Sequence, residues 1–501
     1  MTGLIDNLAL GFSVSFSLQN VFLCFVGAML GTLIGVLPGV GPLATIAILL
    51  PITYNVDPVG SLIMLAGIYY GAQYGGSTTA ILVNMPGEAS SVVTTLDGHA
   101  MARDGRAGKA LGIAAIGSFI AGSFGVLVLA ALAVPLSAVA LSLSAGHFFA
   151  LMILGLALAI VLAGGSLLKA LCMLLIGVVM ALAGADPISG QPRLTFGFSA
   201  LYDGFNIAIV AMALFGIAEM LRNLEQTEGR PTIRAQMGRL LPDRHDIGQS
   251  AAPIARGTLL GSVLGILPGN GVILASFASY ALEKRVAKDP SRFGKGAIEG
   301  VAGPESANNA AAQSAFIPLL TLGLPATATM AIMAGAMTLH GITPGPQVIT
   351  ARPDMFWGVV TSMWLGNFML VVINLPLIGL WVKLLQVPYR LLFPTIVLIC
   401  CIGMFSVNSQ PSDVAQIAIF GALGYLFFKL RLEPTPLILG FVLGGLLENN
   451  LRRGLVLARG DFGRFLSDPV TLTLLAAALM LLVTSMLPAI SRRREALGES
   501  E

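Results

Sequence analysis

The chain has 501 residues, 56% of them hydrophobic and only 11% charged, with a formal net charge of +3. Soluble proteins carry about 25% charged residues, so this composition and a mean hydropathy of +0.86 mark a polytopic membrane protein. It excludes a nucleic-acid-binding surface, which needs a basic stripe or domain. Cys24, Cys172, Cys400 and Cys401 show neither metal-ligand nor redox spacing and read as packing residues.

In chain order, the N-terminus lacks a basic region followed by a short apolar core and a cleavage site, so it reads as a mature start. Apolar stretches of about 20 residues, enough to span a bilayer, recur from Leu18 to the Ile490 region. We expect an all-α polytopic fold of about a dozen membrane segments, some of them broken or re-entrant.

The first distinctive segment is Gly31-Thr-Leu-Ile-Gly-Val-Leu-Pro-Gly-Val-Gly41. It returns as Gly261-Ser-Val-Leu-Gly-Ile-Leu-Pro-Gly-Asn-Gly271, position 261 answering 31 at an offset of 230. Pro38 and Pro268 each remove a backbone donor and clash with the preceding turn, and the following glycines allow angles closed to other residues. Each copy therefore interrupts a membrane helix. Non-helical backbone survives at membrane depth only where protein or a polar cavity surrounds it. The freed carbonyls suit Na⁺, and helix N-termini suit carboxylates. On this reasoning Pro38, Gly39, Gly41, Gly269, Asn270 and Gly271 are candidate contacts for substrate, with Gly39, Gly41, Gly269, Asn270 and Gly271 also candidates for Na⁺. Asn270 against Val40 is the one chemically distinct position between the copies.

A second pair of segments follows. The first half has Tyr74-Gly-Gly-Ser-Thr-Thr-Ala-Ile-Leu-Val-Asn-Met-Pro-Gly-Glu88. The second has Gly303-Pro-Glu-Ser-Ala-Asn-Asn309 and then Pro318-Leu-Leu-Thr-Leu-Gly-Leu-Pro-Ala-Thr327. Matching Pro86 to Pro325 sets an offset of 239, with the extra basic loop near 284–295 absorbing the difference. Ser77, Thr78, Thr79 and Asn84, and Ser306, Asn308, Asn309, Gln313 and Thr327, supply neutral hydrogen-bonding groups beside the breaks. Such groups hold a carboxylate without a fixed cation, although Ser, Thr and Asn also bridge membrane helices structurally.

Glu88 and Glu305 are the acids nearest these motifs. Within the membrane they would be functional, as proton carrier or cation ligand; at its surface they would not. Asp97, His99 and Asp104 share a stretch with Arg103 and Arg106 and read as a solvated loop. His147 and His340 are isolated and read as packing groups. No zinc spacing, serine-nucleophile elbow or Walker loop is present, so no enzyme is expected.

Charge sets the organisation. The polar stretch 222–256 contains six arginines and reads as a cytoplasmic linker between a first membrane repeat, 18–221, and a second, 257–490, followed by a charged tail, 491–501. No Lys or Arg precedes Arg103, so the first breaker has no basic flank, whereas Arg256 and the Lys284–Lys295 cluster bracket the second. The repeats are therefore expected to be inverted. Gly257–Leu267 and Val272–Leu282 are expected as two half-helices of a re-entrant hairpin, with a single kinked spanning helix as the competing form.

Taken together, GTLIGVLPGVGP and GSVLGILPGNG, YGGSTTAILVNMPGE, and GPESANNAAAQ with TLGLPA resemble the large membrane subunit of the bacterial tripartite tricarboxylate transporters, the TctA family. The resemblance covers nearly the whole chain. It implies a secondary transporter of the bacterial inner membrane, driven by a Na⁺ or H⁺ gradient. It also implies two partners, a small membrane subunit of about four helices and an extracytoplasmic solute-binding protein that delivers a carboxylate. An ion channel, or a carboxylate symporter without a binding protein, remains the alternative.

Overall fold

The computed structural model describes residues 3–37, 41–162, 166–186, 188–225, 238–384, 389–408 and 410–487. Pro38, Gly39 and Val40, part of the linker and the charged tail lie outside them. The described chain is almost wholly helical, with one two-residue hairpin pairing Gly184–Ala185 with Pro192–Arg193. Six helices among the described residues are long and apolar enough to cross a membrane. The chain is a multi-pass, all-α protein.

The helices that build the centre are α1 (Leu18–Gly35), α2 (Pro42–Leu49), α3 (Pro58–Val83), α4 (Ala107–Leu141), α5 (Arg244–Leu264), α6 (Gly271–Val286), α7 (Glu299–Ser314), α8 (Ala328–Leu339) and α9 (Pro353–Asn374). Asp57 starts α3 by accepting from the amides of Val59 and Gly60, with Pro58 in the first turn where its missing N–H is no loss. Every residue from Val59 to Val83 is buried, and so is every residue of α7 after Glu299. These two helices form the inner layer because neither has a charged face to turn to solvent: α3 is apolar or small nearly all round, and α7 is built mostly of small residues.

Glycine seams join each inner helix to a breaker helix. A methyl placed on Gly27, Gly31 or Gly35 of α1 would lie 2.2, 2.3 or 2.5 Å from backbone atoms of Met64, Ile68 or Ala72 of α3. One placed on Gly257 or Gly261 of α5, or on Gly265 at its C-terminal cap, would lie 2.3, 2.1 or 2.3 Å from the carbonyl oxygens of Gly303, Ala307 or Ala311 of α7. The breaker-helix positions differ by 230 in every case (257 against 27, 261 against 31, 265 against 35). The inner-helix positions differ by 239 (303 against 64, 307 against 68, 311 against 72). The two offsets read from the motifs thus recur in the packing.

The first inner helix and the short helix that follows the second also end alike. Asn84 terminates α3 at φ 57°, and Gly323, 239 residues on, terminates Phe316–Leu322 at φ 73°. Both are left-handed positions, which Asn and Gly tolerate better than other residues.

The second breaker is a hairpin with longer arms than the half-helices expected from Gly257–Leu267 and Val272–Leu282. α5 begins at Arg244 and runs 21 residues, and α6 runs 16. Asp243 nucleates α5 early by accepting from the amides of His245 and Asp246, which carries helix through much of the polar stretch. α5, running to Leu264, crosses the boundary drawn at residue 256. The chain then doubles back. Arg256 donates from Nε to Glu283 Oε1 at 2.8 Å and from Nη2 to Oε2 at 2.5 Å. In one continuous helix these two residues would stand about 40 Å apart, so the kinked single helix is excluded.

Candidate functional site

Within each half, the breaker reaches the proline-containing break of the second motif. Gly269, at φ 106°, donates its N–H to the carbonyl of Ala326 at 2.7 Å. A methyl on Gly41 would lie 3.4 Å from the carbonyl of Gly87, the residue that answers Ala326 at the offset of 239. Gly41 and Asn270 stand at the N-terminal caps of α2 and α6, and Gly271 opens α6. Thr327 caps α8, accepting from the Met330 amide at 3.2 Å.

Between the inner helices lies a polar seat centred on Glu305, which is fully buried. Its Oε2 accepts from Ser77 Oγ at 2.6 Å, and its Oε1 accepts from Thr94 Oγ1 at 2.5 Å. Ser77 belongs to α3 and Glu305 to α7, so this contact joins the two halves. Glu305, Asn309 and Gln313 recur every four residues and line one face of α7. Asn309 donates from Nδ2 to Ser118 Oγ of α4 at 2.7 Å and to the Glu305 carbonyl at 3.0 Å. Gln313 meets Asn367 of α9 at 3.4 Å.

Asn308 faces α3 instead. Gln73, its amide nitrogen turned toward acceptors, donates to Glu88 Oε1 at 2.5 Å and to Asn308 Oδ1 at 2.9 Å. Glu88 is half-buried and also accepts from Ser90 Oγ at 2.5 Å. No Lys, Arg or His among the described residues pairs with Glu88 or Glu305. Two carboxyl groups therefore sit in neutral surroundings, held by hydroxyls and amides alone.

A cavity of ≈ 20 Å³ adjoins Glu305, lined on its polar side by Tyr74, Ser77, Thr78, Ser118 and Asn374. That is room for about one water, far below the roughly 300 Å³ of a small-molecule pocket. The hydroxyl of Tyr74, the Nδ2 of Asn308 and the Oδ1 of Asn374 are buried without a hydrogen-bond partner. Such groups are costly to leave unmatched inside a protein.

Of the residues singled out in the sequence, Ser77, Thr78, Asn308, Asn309 and Gln313 converge around this seat. Ser306 turns away, bonding to the Ala302 carbonyl at 2.7 Å, and Thr79 bonds within α3 and to the carbonyl of Val36. Asn84 is exposed and its evident work is ending α3. Gln73, Tyr74, Thr94, Ser118, Asn367 and Asn374 were not anticipated. Gln73 lies one helical turn before Ser77, a spacing that a helical reading of the motif reaches; Thr94 arrives from a separate turn and carries no such signal.

Asp97 corrects the solvated-loop reading. It is fully buried and accepts at 2.8 Å from the amides of Gly296 and Ala297, and at 2.9 Å from the Tyr280 hydroxyl. It ties the 95–99 turn to the start of α7, which packing against a distant segment makes possible. His147 is likewise not isolated, since its Nε2 lies 2.8 Å from Asp468 Oδ2. Asp104 is exposed as expected, paired with Arg106.

Helices interrupted at matched positions and a buried polar seat between the inner helices are features of membrane transport proteins. The chain belongs to the tripartite tricarboxylate transporter TctA family, whose model matches residues 21–439. It is 55% identical over 495 residues to an uncharacterized 52.8 kDa protein in the TAR-I ttuC' 3' region of Agrobacterium vitis, covering 99% of each chain. An uncharacterized protein in the TAR-II ttuC' 3' region of the same organism is 57% identical over 235 residues, 47% of this chain and 97% of that protein. No solved structure matches the chain significantly.

Proposed function

We propose that this chain is the large membrane subunit of a secondary active transporter that imports a tricarboxylate or related carboxylate across the bacterial inner membrane. A Na⁺ or H⁺ gradient drives it, an extracytoplasmic solute-binding protein supplies the substrate, and a small membrane subunit of about four helices completes the assembly. The observation that carries this reading is the seat where Ser77 and Ser118 of one half meet Glu305 and Asn309 of the other, in a chain of this family.

In this reading the halves are inverted repeats and the second breaker is re-entrant from the cytoplasm. The matched glycine seams support the repeat, and the basic flanks of the second breaker support the inversion. Carboxylate oxygens meet the neutral groups of the seat and the amides at the starts of α2 and α6. Na⁺, where it is the coupling ion, rests against carbonyls near Gly39–Gly41 and Gly269–Gly271. Cations that neutralise the anion lower the cost of carrying it through lipid. Because the cavity is so small, the broken segments must move apart to admit a substrate.

Uptake by sealed vesicles tests the proposal, using a panel of carboxylates with and without Na⁺ and with binding protein added. Saturable, gradient-dependent accumulation stimulated by one binding protein is expected. Flux that ignores every binding protein refutes the tripartite arrangement, and non-saturable flux indicates a channel.

A further inference from the structure

Glu305 stands out among the buried groups because its surroundings fit a carried charge better than a fixed one. An ionised carboxylate buried without a cation is costly. A structural role would be served by an amide, whose oxygen accepts from one hydroxyl and whose NH2 donates to the other, without that cost. Instead Glu305 lines a cavity sized for one water-like occupant, and Tyr74, whose buried hydroxyl has no partner, lines the same cavity. Ser77 and Ser118, both hydroxyl-bearing, complete the polar lining with Tyr74, and Ser77 and Thr94 hold the two oxygens of Glu305.

We propose that Glu305 carries the coupling cation, which occupies the cavity beside it against Tyr74, Ser77 and Ser118, and that a carboxylate substrate binds the adjoining seat only when this charge is neutralised. This inference rests on the transport reading above. The shared chemistry is a single positive charge on Glu305, as a bound proton or as Na⁺. An ionised Glu305 repels an anion held by Ser77 and Thr78, and a neutralised one does not. Cation and substrate thereby favour each other's binding reciprocally.

The other charged groups on the elements packed around α7 are accounted for. From the segment after α3 comes Glu88, bound to Gln73 and Ser90. From the 95–99 turn come Asp97, tied to backbone amides and Tyr280, and His99, whose Nδ1 lies 3.1 Å from the Ile81 carbonyl. From the hairpin come Arg256 and Glu283, paired with each other. Lys109 of α4 is engaged by Asp243 and Asp246. Glu88 is thus the competing carrier.

The test uses the full chain in lipid nanodiscs with radiolabelled citrate as the probe. Without Na⁺, wild-type affinity is expected to weaken by up to tenfold per pH unit once Glu305 ionises, the slope of one linked proton. Na⁺ added at alkaline pH restores the affinity if Na⁺ is the ion and leaves it weak if the ion is H⁺. Glu305→Gln should flatten both dependences, and Glu88→Gln should keep them. Either dependence persisting in Glu305→Gln, or vanishing only in Glu88→Gln, overturns the assignment.

A substrate-free readout separates this from failure of the transport reading. Infrared difference spectra on raising pH or adding Na⁺ should show loss of a protonated-carboxyl band in wild type that Glu305→Gln lacks. Absence of that band difference in a monodisperse, folded wild-type protein overturns the proposal even where citrate is simply the wrong substrate.

Discussion

Gly261→Ala is the sharpest probe of how the two inner helices are held. The added methyl would meet the Ala307 carbonyl oxygen at 2.1 Å, with the Ala307 C and Cα at 2.8 and 2.9 Å. Ordinary carbon–oxygen contact needs more than 3 Å, so α5 and α7 must separate by about 1 Å along a seam continued by Gly257 and Gly265. Overpacking of this kind costs about 1–3 kcal/mol. Against it stands roughly 0.5–1 kcal/mol gained by replacing a helical glycine. A net loss of about 1–2 kcal/mol is expected. Gly31→Ala at the matching position of α1 should behave alike, since its methyl would meet the Ile68 carbonyl at 2.3 Å. Gly445→Ala, which meets nothing within 4 Å, supplies the control and should be neutral or stabilising. Apparent melting temperatures of the three variants, measured in one detergent, decide the matter. If Gly261→Ala melts at or above Gly445→Ala, the close-packed seam is wrong.

Three further outcomes are expected. Asp97→Leu leaves the amides of Gly296 and Ala297 buried without an acceptor and should cost about 2–3 kcal/mol, while Asp97→Asn, which can still accept from both, should cost much less; equal melting temperatures would contradict this anchor. Asn84→Gly should keep both stability and uptake, and Asn84→Val should lose about 1–2 kcal/mol through its left-handed backbone; uptake abolished in Asn84→Gly would instead make the side chain a substrate contact. Asp243 is held well below the usual carboxylate range by Lys109, with the amides of Asp246 and His245 adding to the effect. Its contribution is therefore fully present above about pH 3.9 and is lost as pH falls toward the depressed folded value. Hydrogen exchange of the first turn of α5 should show protection unchanged at about pH 5 and falling only in stronger acid.

Membrane class, helical fold and the two pairs of matched segments were legible in the sequence, because lipid imposes long apolar runs and only Pro and Gly interrupt them. The offsets of 230 and 239 were legible for the same reason. They reappear in the seams because a glycine is needed wherever two backbones touch. Half of the seat was legible as well, since Ser77, Thr78, Asn308 and Asn309 sit beside those interruptions.

Other features depended on contacts between residues far apart in the chain, which no local pattern encodes. Arg256 and Glu283 show that the second breaker folds back on itself. Asp97, followed in sequence by His99, Arg103, Asp104 and Arg106, is buried only because the start of α7 brings two free amides to it. Glu305 lies 228 residues from Ser77 and 211 from Thr94, so its burial and its hydroxyl partners exist only once the halves have packed. An acid's chemistry follows from what surrounds it, and for Glu305 that environment is tertiary.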